Sequence, residues 1–337
     1  MQNYDVYGIG NALVDKEFLV DEGFFAQTGI KKGFMTLIEE GEQQALLDQL
    51  QQQYGLRKRA GGGSAANTLY ALSQFGGTAF YSCKVAADET GDFYVQELGN
   101  HNIETNLGPQ RETGTTGRCL VMVTSDAVRT LLSHLGISQS VSRQELKPEA
   151  LARSEFVYIE GYLVTSDTAR DAAVHLKKQA REQGIRTAFT FSDPAIVEYF
   201  RDGIDEVLGE DGVDLLFCNE KEALSWSGEA TLEAAGRKLE GIAAQFVITL
   251  GARGALIFDG EQYLNVKPRQ VKAVDSNGAG DMFAGAFLYG VTQGFGLHAA
   301  GELASLAAAT TVSHYGPRLT LEQHQEVLAE FQREHRL

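Results

Sequence analysis

The stretch VDSNGAGDMFAGAF, residues 274–287, sets Gly278, Ala279 and Gly280 directly before a lone acid, Asp281, and then runs into an apolar segment. A helix that begins on such small residues leaves its first N–H groups uncovered. Those donors, with the positive end of the helix dipole, form an anion site. A carboxylate at this point has two readings. It caps the helix, which contributes about 1 kcal/mol, or it takes a proton from a substrate hydroxyl while the amides stabilise charge on a transferring phosphoryl group. On this stretch alone the two readings stand level.

Four other stretches carry groups of related kind. In AGGGSAANT (60–68), Gly62 and Gly63 suit close approach of backbone to a polar ligand, and Asn67 both donates and accepts; a tightly packed helix start is the alternative. The spacing Gly61-x-Gly63-x-x-Ala66 superficially fits a dinucleotide fingerprint, but the preceding LRKRA reads as a basic loop, so the strand–turn–helix context is missing. Asn11 and Asp15 follow the apolar run DVYGIG. An amide with a carboxylate suits the adjacent hydroxyls of a sugar ring; a turn Asn and a surface Asp is the plainer alternative. Asn219 and Glu222 stand just after DLLFC. They suit Mg²⁺ reached through water, or are the two members of a capping box. TLGARG (249–254) closes an apolar run with a glycine turn. No Gly-Lys dipeptide occurs in the chain, so there is no P-loop lysine. Phosphate binding would fall to backbone N–H groups, Thr249 and arginine.

The elements that must position these groups alternate. Short runs rich in β-branched and aromatic residues recur at 5–10, 78–83, 119–124, 156–160, 187–192, 214–218, 246–250 and 255–258. Several are continuous rather than alternating, as in strands covered on both faces. Helix-period segments separate most of them, at 64–75, 166–183, 231–239, 281–292, 298–313 and 320–331. This predicts an α/β fold, a doubly wound and mainly parallel sheet flanked by helices. Residues 12–38 and 104–124 break the rhythm and read as strands joined by Gly-rich turns, a small β lid inserted in a single domain spanning 1–337.

Composition narrows the function classes. The formal net charge of −16 argues against a nucleic-acid binder. The N-terminus lacks a basic, apolar signal pattern, and no 18-residue apolar stretch is present to span a membrane. Cys83, Cys119 and Cys218 form no CxxC pair and lie in apolar runs, which predicts reduced structural thiols and a cytoplasmic protein. An NAD-dependent dehydrogenase would need a glycine turn straight after a buried strand, which is not found.

The five motifs, in this order along nearly the whole chain, resemble the ribokinase-like, or PfkB, family of sugar and nucleoside kinases. The family's C-terminal signature reads Asp-Thr-x-Gly-Ala-Gly-Asp; here Ser276 replaces Thr and keeps its hydroxyl. The resemblance implies Asp281 as catalytic base and Gly278, Ala279 and Gly280 as anion hole. It implies Asn11, Asp15, Gly62, Gly63 and Asn67 as substrate contacts. Asn219, Thr249, Gly251 and Gly254 would border ATP, and Arg129 in SDAVRTLL resembles a phosphate-contacting arginine of adenosine kinases. Asn219 and Glu222 would support Mg²⁺, and Asp275 is the candidate neighbour of K⁺. Arg118, on the proposed lid, carries no assignment. The spacing Gly-Asn-x-x-x-Asp is closest to adenosine kinase-like members. The expected activity is therefore ATP-dependent phosphorylation of a primary hydroxyl, with adenosine as substrate. The alternative is a PfkB-type kinase of ribose, fructose or a keto-sugar. A regulator that keeps the fold without the chemistry fits less well, since Asp281 is present. The small-molecule substrate and ATP are the expected partners, and the chain would act as a monomer or homodimer.

Overall fold

The continuous apolar runs become strands with both faces covered. A computed structural model describes residues 3–126 and 128–335. In chain order its strands are β1 Tyr4–Ile9, β2 Leu13–Leu19, β3 Met35–Leu37, β4 Lys58–Gly62, β5 Ala79–Ser82, β6 Ile103–Thr105 and β7 Thr116–Val123. They continue with β8 Arg129–Gly136, β9 Ser154–Glu160, β10 Arg186–Thr190, β11 Val213–Asn219, β12 Ala243–Thr249, β13 Ala255–Phe258 and β14 Tyr263–Val266. Nine of them form one sheet in the order β14-β13-β12-β11-β10-β9-β1-β5-β6. It is parallel from β6 to β12, and β13 and β14 close one edge antiparallel.

Successive residues of a strand point to opposite faces. In β9, Phe156 and Tyr158 enter one core while Val157 and Ile159 enter the other; in β11, Leu215 and Phe217 part from Leu216 and Cys218 in the same way. The first core is covered by the helices Ser64–Gln74, Ala279–Thr292, Leu297–Val312 and Leu321–His335. The second lies under Asp167–Glu182, Arg201–Leu208, Glu220–Ser227 and Leu232–Leu239. In Asp167–Glu182 the buried positions Ala169, Ala172, Ala173, Leu176 and Ala180 follow the helical period read from the sequence. The three cysteines are buried and unbridged. No described helix is long and apolar enough to cross a membrane.

The second sheet has five strands in the order β3-β8-β7-β2-β4. Its composition differs from the expected 12–38 and 104–124. The first stretch contributes β2 and β3, but with a helix, Glu22–Thr28, between them. That helix is capped by Asp21 and held by Phe24 and Phe25, which pack under the sheet with Phe18, Leu120 and Met122. From the second stretch only β7 belongs; β6 pairs with β5 at the edge of the large sheet. Two further strands were not expected there. β8 runs antiparallel to β7. The expected loop at LRKRA is instead the start of β4, an edge strand antiparallel to β2. Its basic and glycine residues carry little strand preference, so pairing with β2 supplies the order. It is still no dinucleotide-binding strand, because it lies at the edge of the small sheet rather than inside the parallel one.

His324 is fully buried in the helix Leu321–His335, edge-on to Phe75 at 4.7 Å and Tyr70 at 5.9 Å. Its Nδ1–H donates to the Thr320 carbonyl at 2.8 Å, and Nε2 has no partner. Burial pushes the imidazole down to about 4, so the unfolded chain binds a proton before the folded one does. The stability tied to the neutral ring is lost as pH falls from about 6.5 towards 4. His324→Leu is expected to lose roughly 2–3 kcal/mol less than the wild type between pH 6.5 and 4.5, read by urea unfolding at both pH values.

Candidate active site

Two helices begin at the same place. Ser64–Gln74 and Ala279–Thr292 pack closely because Gly285 lies against the first helix: a Cβ there would stand 2.3 Å from the Thr68 carbonyl oxygen. Their N-termini therefore meet. Ser64 Oγ donates to Asp281 Oδ1 at 2.6 Å, and Asn67 Nδ2 donates to Asp281 Oδ2 at 3.0 Å. The N-cap of the second helix is Gly278, in the left-handed region at φ 72°, and no side chain caps it. This removes the capping alternative for Asp281. Its carboxylate is held by the other helix and does not cap its own. It therefore leaves the first-turn amides free for another acceptor, apart from the Ala279 N–H, which donates to the Ser276 carbonyl at 3.4 Å. Burial raises the Asp281 carboxyl to about 6, against the opposing hydrogen bonds from Ser64 and Asn67 and the charge of Arg318. At pH 7 it is mostly a carboxylate able to take up a proton.

These residues open on a cavity of about 750 Å³. One end is polar. Asn11, at the carboxyl end of β1, donates from both N and Nδ2 to Glu160 Oε1, at 3.1 and 3.2 Å, and accepts from Ser138 Oγ at 3.2 Å. Glu160 Oε2 accepts from the Ala65 N–H at 2.8 Å. Asp15, on β2, faces the same space; burial pushes its carboxyl up to about 7, while Arg318 and Arg129 pull it down. Gly62 leaves room for that carboxylate, since a Cβ there would lie 2.5 Å from Asp15 Oδ1. Gly63 turns the chain at φ 100°, and a Cβ would meet the Asn11 carbonyl oxygen at 2.1 Å. Small-sheet residues of one face, Leu13, Met35, Leu37, Leu131 and Leu135, supply an apolar wall beside Asp15.

At the other end stand Asn219, Glu222 and Thr249. Asn219 and Glu222 form a full capping box on the helix Glu220–Ser227: Glu222 N–H donates to Asn219 Oδ1 at 2.9 Å, and Asn219 N–H donates to Glu222 Oε2 at 2.9 Å. Burial raises the Glu222 carboxyl to about 7, and the nearby Asp193 adds to this. Among the described residues no group of three His, Cys, Asp or Glu gathers closely enough to hold a metal alone. Of the carboxylates lining the cavity, Glu222 and its neighbour Asp193 are hard donors suited to a hydrated divalent ion whose other ligands are phosphate oxygens. The residues fit a Mg²⁺ held mainly by nucleotide, and they do not form a protein cage.

Four expected contacts do not line the cavity: Gly62, which leaves room for the Asp15 carboxylate, Ala279, Gly251 and Gly254. Gly251 and Gly254 form the turn after β12; of TLGARG only Thr249 lines the cavity. Arg129, expected at phosphate, lines the cavity and is paired there with Asp275 and, at 3.3 Å, with Glu17. Asp275 also accepts from the N–H groups of Asn277 at 3.0 Å and Gly316 at 2.7 Å. A K⁺ ion on the same oxygens would face the Arg129 guanidinium, so the carboxylate of Asp275 does not fit that role.

Sequence reasoning missed Glu160, Ser64, Asp193 and Arg318. Glu160 had a signal, an acid closing the apolar run FVYIE at the carboxyl end of a central strand. Arg318 had none. Its Nε donates to Asn67 Oδ1 at 2.8 Å across 251 positions of sequence.

The profile described as pfkB family carbohydrate kinase matches residues 35–324. The adenosine kinase of Saccharomyces cerevisiae is 28% identical over 331 residues, covering 92% of this chain and 95% of that protein. The crystal structure of adenosine kinase from Sinorhizobium meliloti superposes with a TM-score of 0.88 at 30% identity, over 96% of this chain and 99% of that one. A probable sugar kinase from Rhizobium etli gives a TM-score of 0.89 at 29% identity, over 98% and 100%.

The helix contact and the open amides make opposite demands on glycine. Gly285→Ala must push apart the helices that meet at Asp281 and is expected to destabilise the fold by about 1–3 kcal/mol, measured by urea unfolding. At Gly280 a Cβ meets nothing within 4 Å and projects where the cavity lies. Gly280→Ala is expected to leave the unfolding midpoint unchanged or slightly raised, yet to weaken ATP binding about tenfold or more in calorimetry, because the methyl covers the donors.

Proposed function

The chain belongs to the pfkB family of carbohydrate kinases, and on that premise we propose that it transfers the γ-phosphoryl group of ATP to the primary hydroxyl of adenosine. That it is a phosphotransferase acting on an alcohol group of a nucleoside or sugar, with ATP as co-substrate and a divalent metal, follows from the family and its relatives. The choice of adenosine rests on one observation: the apolar wall of Leu13, Met35, Leu37, Leu131 and Leu135 directly beside the diol-type acid Asp15. A free sugar carries hydroxyls around its whole ring and gains little from such a wall. A nucleoside presents a ribose diol at one end and a flat base at the other.

In this reading Asp15 and Asn67 take the ribose hydroxyls, with Asn11 held by Glu160 beside them and the Gly62–Gly63 backbone allowing close approach. The primary hydroxyl lies against Asp281, which accepts its proton as the oxygen attacks phosphorus. The amides of Gly278, Ala279 and Gly280 stabilise the equatorial oxygens. Asn219, Glu222 and Asp193 would hold a Mg²⁺ ion, which would offset negative charge on the phosphates. Thr249 borders the phosphates. The small sheet acts as a lid within a single domain, excluding water that would otherwise hydrolyse ATP.

Incubation with ATP, Mg²⁺ and a panel of nucleosides and sugars, with ADP release followed, tests the substrate. Turnover on adenosine is expected; turnover on ribose or fructose without adenosine would reject the nucleoside reading in favour of a sugar kinase. Asp281→Asn is expected to lower kcat by about 10²–10⁴-fold with adenosine still bound. Glutamine serves a capping box as well as glutamate. Glu222→Gln keeps the acceptor for the Asn219 N–H but loses the one for Asn219 Nδ2. It is therefore expected to lower Tm slightly while raising the Mg²⁺ concentration for half-maximal rate several-fold; a fall in Tm with unchanged Mg²⁺ dependence would assign Glu222 to the cap alone.

A further inference from the structure

Arg318 is nearly buried, its side chain 7% exposed, yet no motif contains it. It follows the helix Leu297–Val312 in a segment fastened at two points to the anion turn. Gly316 N–H donates to Asp275 Oδ2, and Gly278 has no space for a Cβ because Pro317 Cβ would lie 2.4 Å away. The guanidinium lies over the Tyr70 ring, 4.6 Å from its centre. Nη1 donates to Glu97 Oε1 at 2.8 Å, Nε donates to Asn67 Oδ1 at 2.8 Å, and Nη2 is buried without a partner. Glu97 is anchored in turn by the Gly61 N–H, one residue before the substrate glycines.

We propose that Arg318 is a positioning residue: its donor-only guanidinium fixes the Asn67 amide against Asp281 and sets a positive charge behind Asp15 and Asp281. The proposal rests on the phosphoryl-transfer reading given above. The geometry of the amide carries it. A guanidinium only donates and a carboxylate only accepts, so an amide between them has a single orientation, oxygen to Arg318 and NH₂ to Asp281. When Asp281 takes up the substrate proton its hold on the NH₂ group weakens. Arg318 then keeps the amide from turning over, and the site is ready for the next hydroxyl.

The charge acts on both acids. Asp15 faces Arg318, Arg129, Glu97 and Glu17, and of the charges Arg318 lowers its carboxyl most. Asp281 faces Arg318 on one side and Glu160, Tyr158 and Tyr162 on the other, and Arg318 is the cation that lowers it. Tyr70 and His101 are the other titratable groups beside the guanidinium. Burial alone would leave both acids protonated at neutral pH more of the time, and a protonated Asp15 cannot accept from two hydroxyls.

The test uses adenosine binding without ATP, by calorimetry from pH 5.5 to 8.5, beside kcat over the same range. In Arg318→Gln the acid-side loss of binding and of kcat is expected to begin on the order of one pH unit higher than in the wild type. Arg318→Lys, which restores charge without the two-pronged geometry, is expected to return the binding profile near wild type while kcat stays several-fold low. Removing Glu97, which raises Asp15, shifts the effect the other way: Glu97→Gln is expected to move the binding profile to lower pH. Profiles that superpose for Arg318→Gln and wild type would overturn the proposal, as would Arg318→Lys no better than Arg318→Gln in binding. If Arg318→Gln does not fold, Glu97→Gln decides, and an unmoved or upward-shifted profile rejects the role. Asp281→Asn separates this from the underlying reading: full turnover there rejects the base itself, whatever the Arg318 variants do.

Discussion

The contact between the helices Ser64–Gln74 and Ala279–Thr292 governs the rest of the site. Where Gly285 meets the Thr68 carbonyl the two axes come close, and their N-termini converge on one point. The partial positive charges of two helix starts then fall together in a partly dry place. A carboxylate is drawn there, and Asp281 answers to Ser64 and Asn67 of the neighbouring helix. Had it capped its own helix, it would have filled the amides that an anion needs. Cross-helix bonding thus makes compatible the two tasks that the proposed reaction would ask of the same four residues, accepting a proton and cradling negative charge.

Burial then sets the electrostatics. Asp15, Asp281, Glu160 and Glu222 all line the cavity and all have raised proton affinity, with burial the leading cause in each. Such a cluster is tolerable only with cations or donors beside it. Arg318 stands behind Asp15 and Asp281, backbone N–H groups hold Glu160, and the capping box holds Glu222. The cavity therefore carries cationic compensation beside Asp15 and Asp281, whereas no arginine or lysine is among the leading influences on Glu222, whose neighbour is Asp193.

Much of this was legible from pattern. The large sheet announced itself because strands covered on both faces need unbroken apolar runs, and FVYIE or DLLFC admit few other readings. The small sheet was blurred for a physical reason. RTLLSHLG sets polar and apolar residues in pairs rather than in strict alternation, and KRAGG holds two glycines, so their strand character comes from pairing with β7 and β2 rather than from their own residues. Asp281 and Asn67 were singled out because their neighbours are unusual in type and spacing, Asp15 through the family resemblance, and all three line one cavity. Asn219 and Glu222 were read both ways, and the capping box is present. Arg318 stayed hidden because its three partners, at 67, 70 and 97, are neighbours only after folding. The ion pairs of Arg129 were hidden for the same reason: its carboxylate partners at 17 and 275 are equally remote in sequence.

Between the end of β1 at Ile9 and the start of β2 at Leu13 the chain leaves the large sheet and enters the small one. Asn11, tied to Glu160, belongs mechanically to the first body; Asp15, paired in β2, belongs to the second. The gap from amide to carboxylate is thus a gauge of the angle between the bodies. A molecule that grips both residues acts as a tie-rod across this short pivot, converting its own rigid bond lengths into a fixed tilt of the sheet above it.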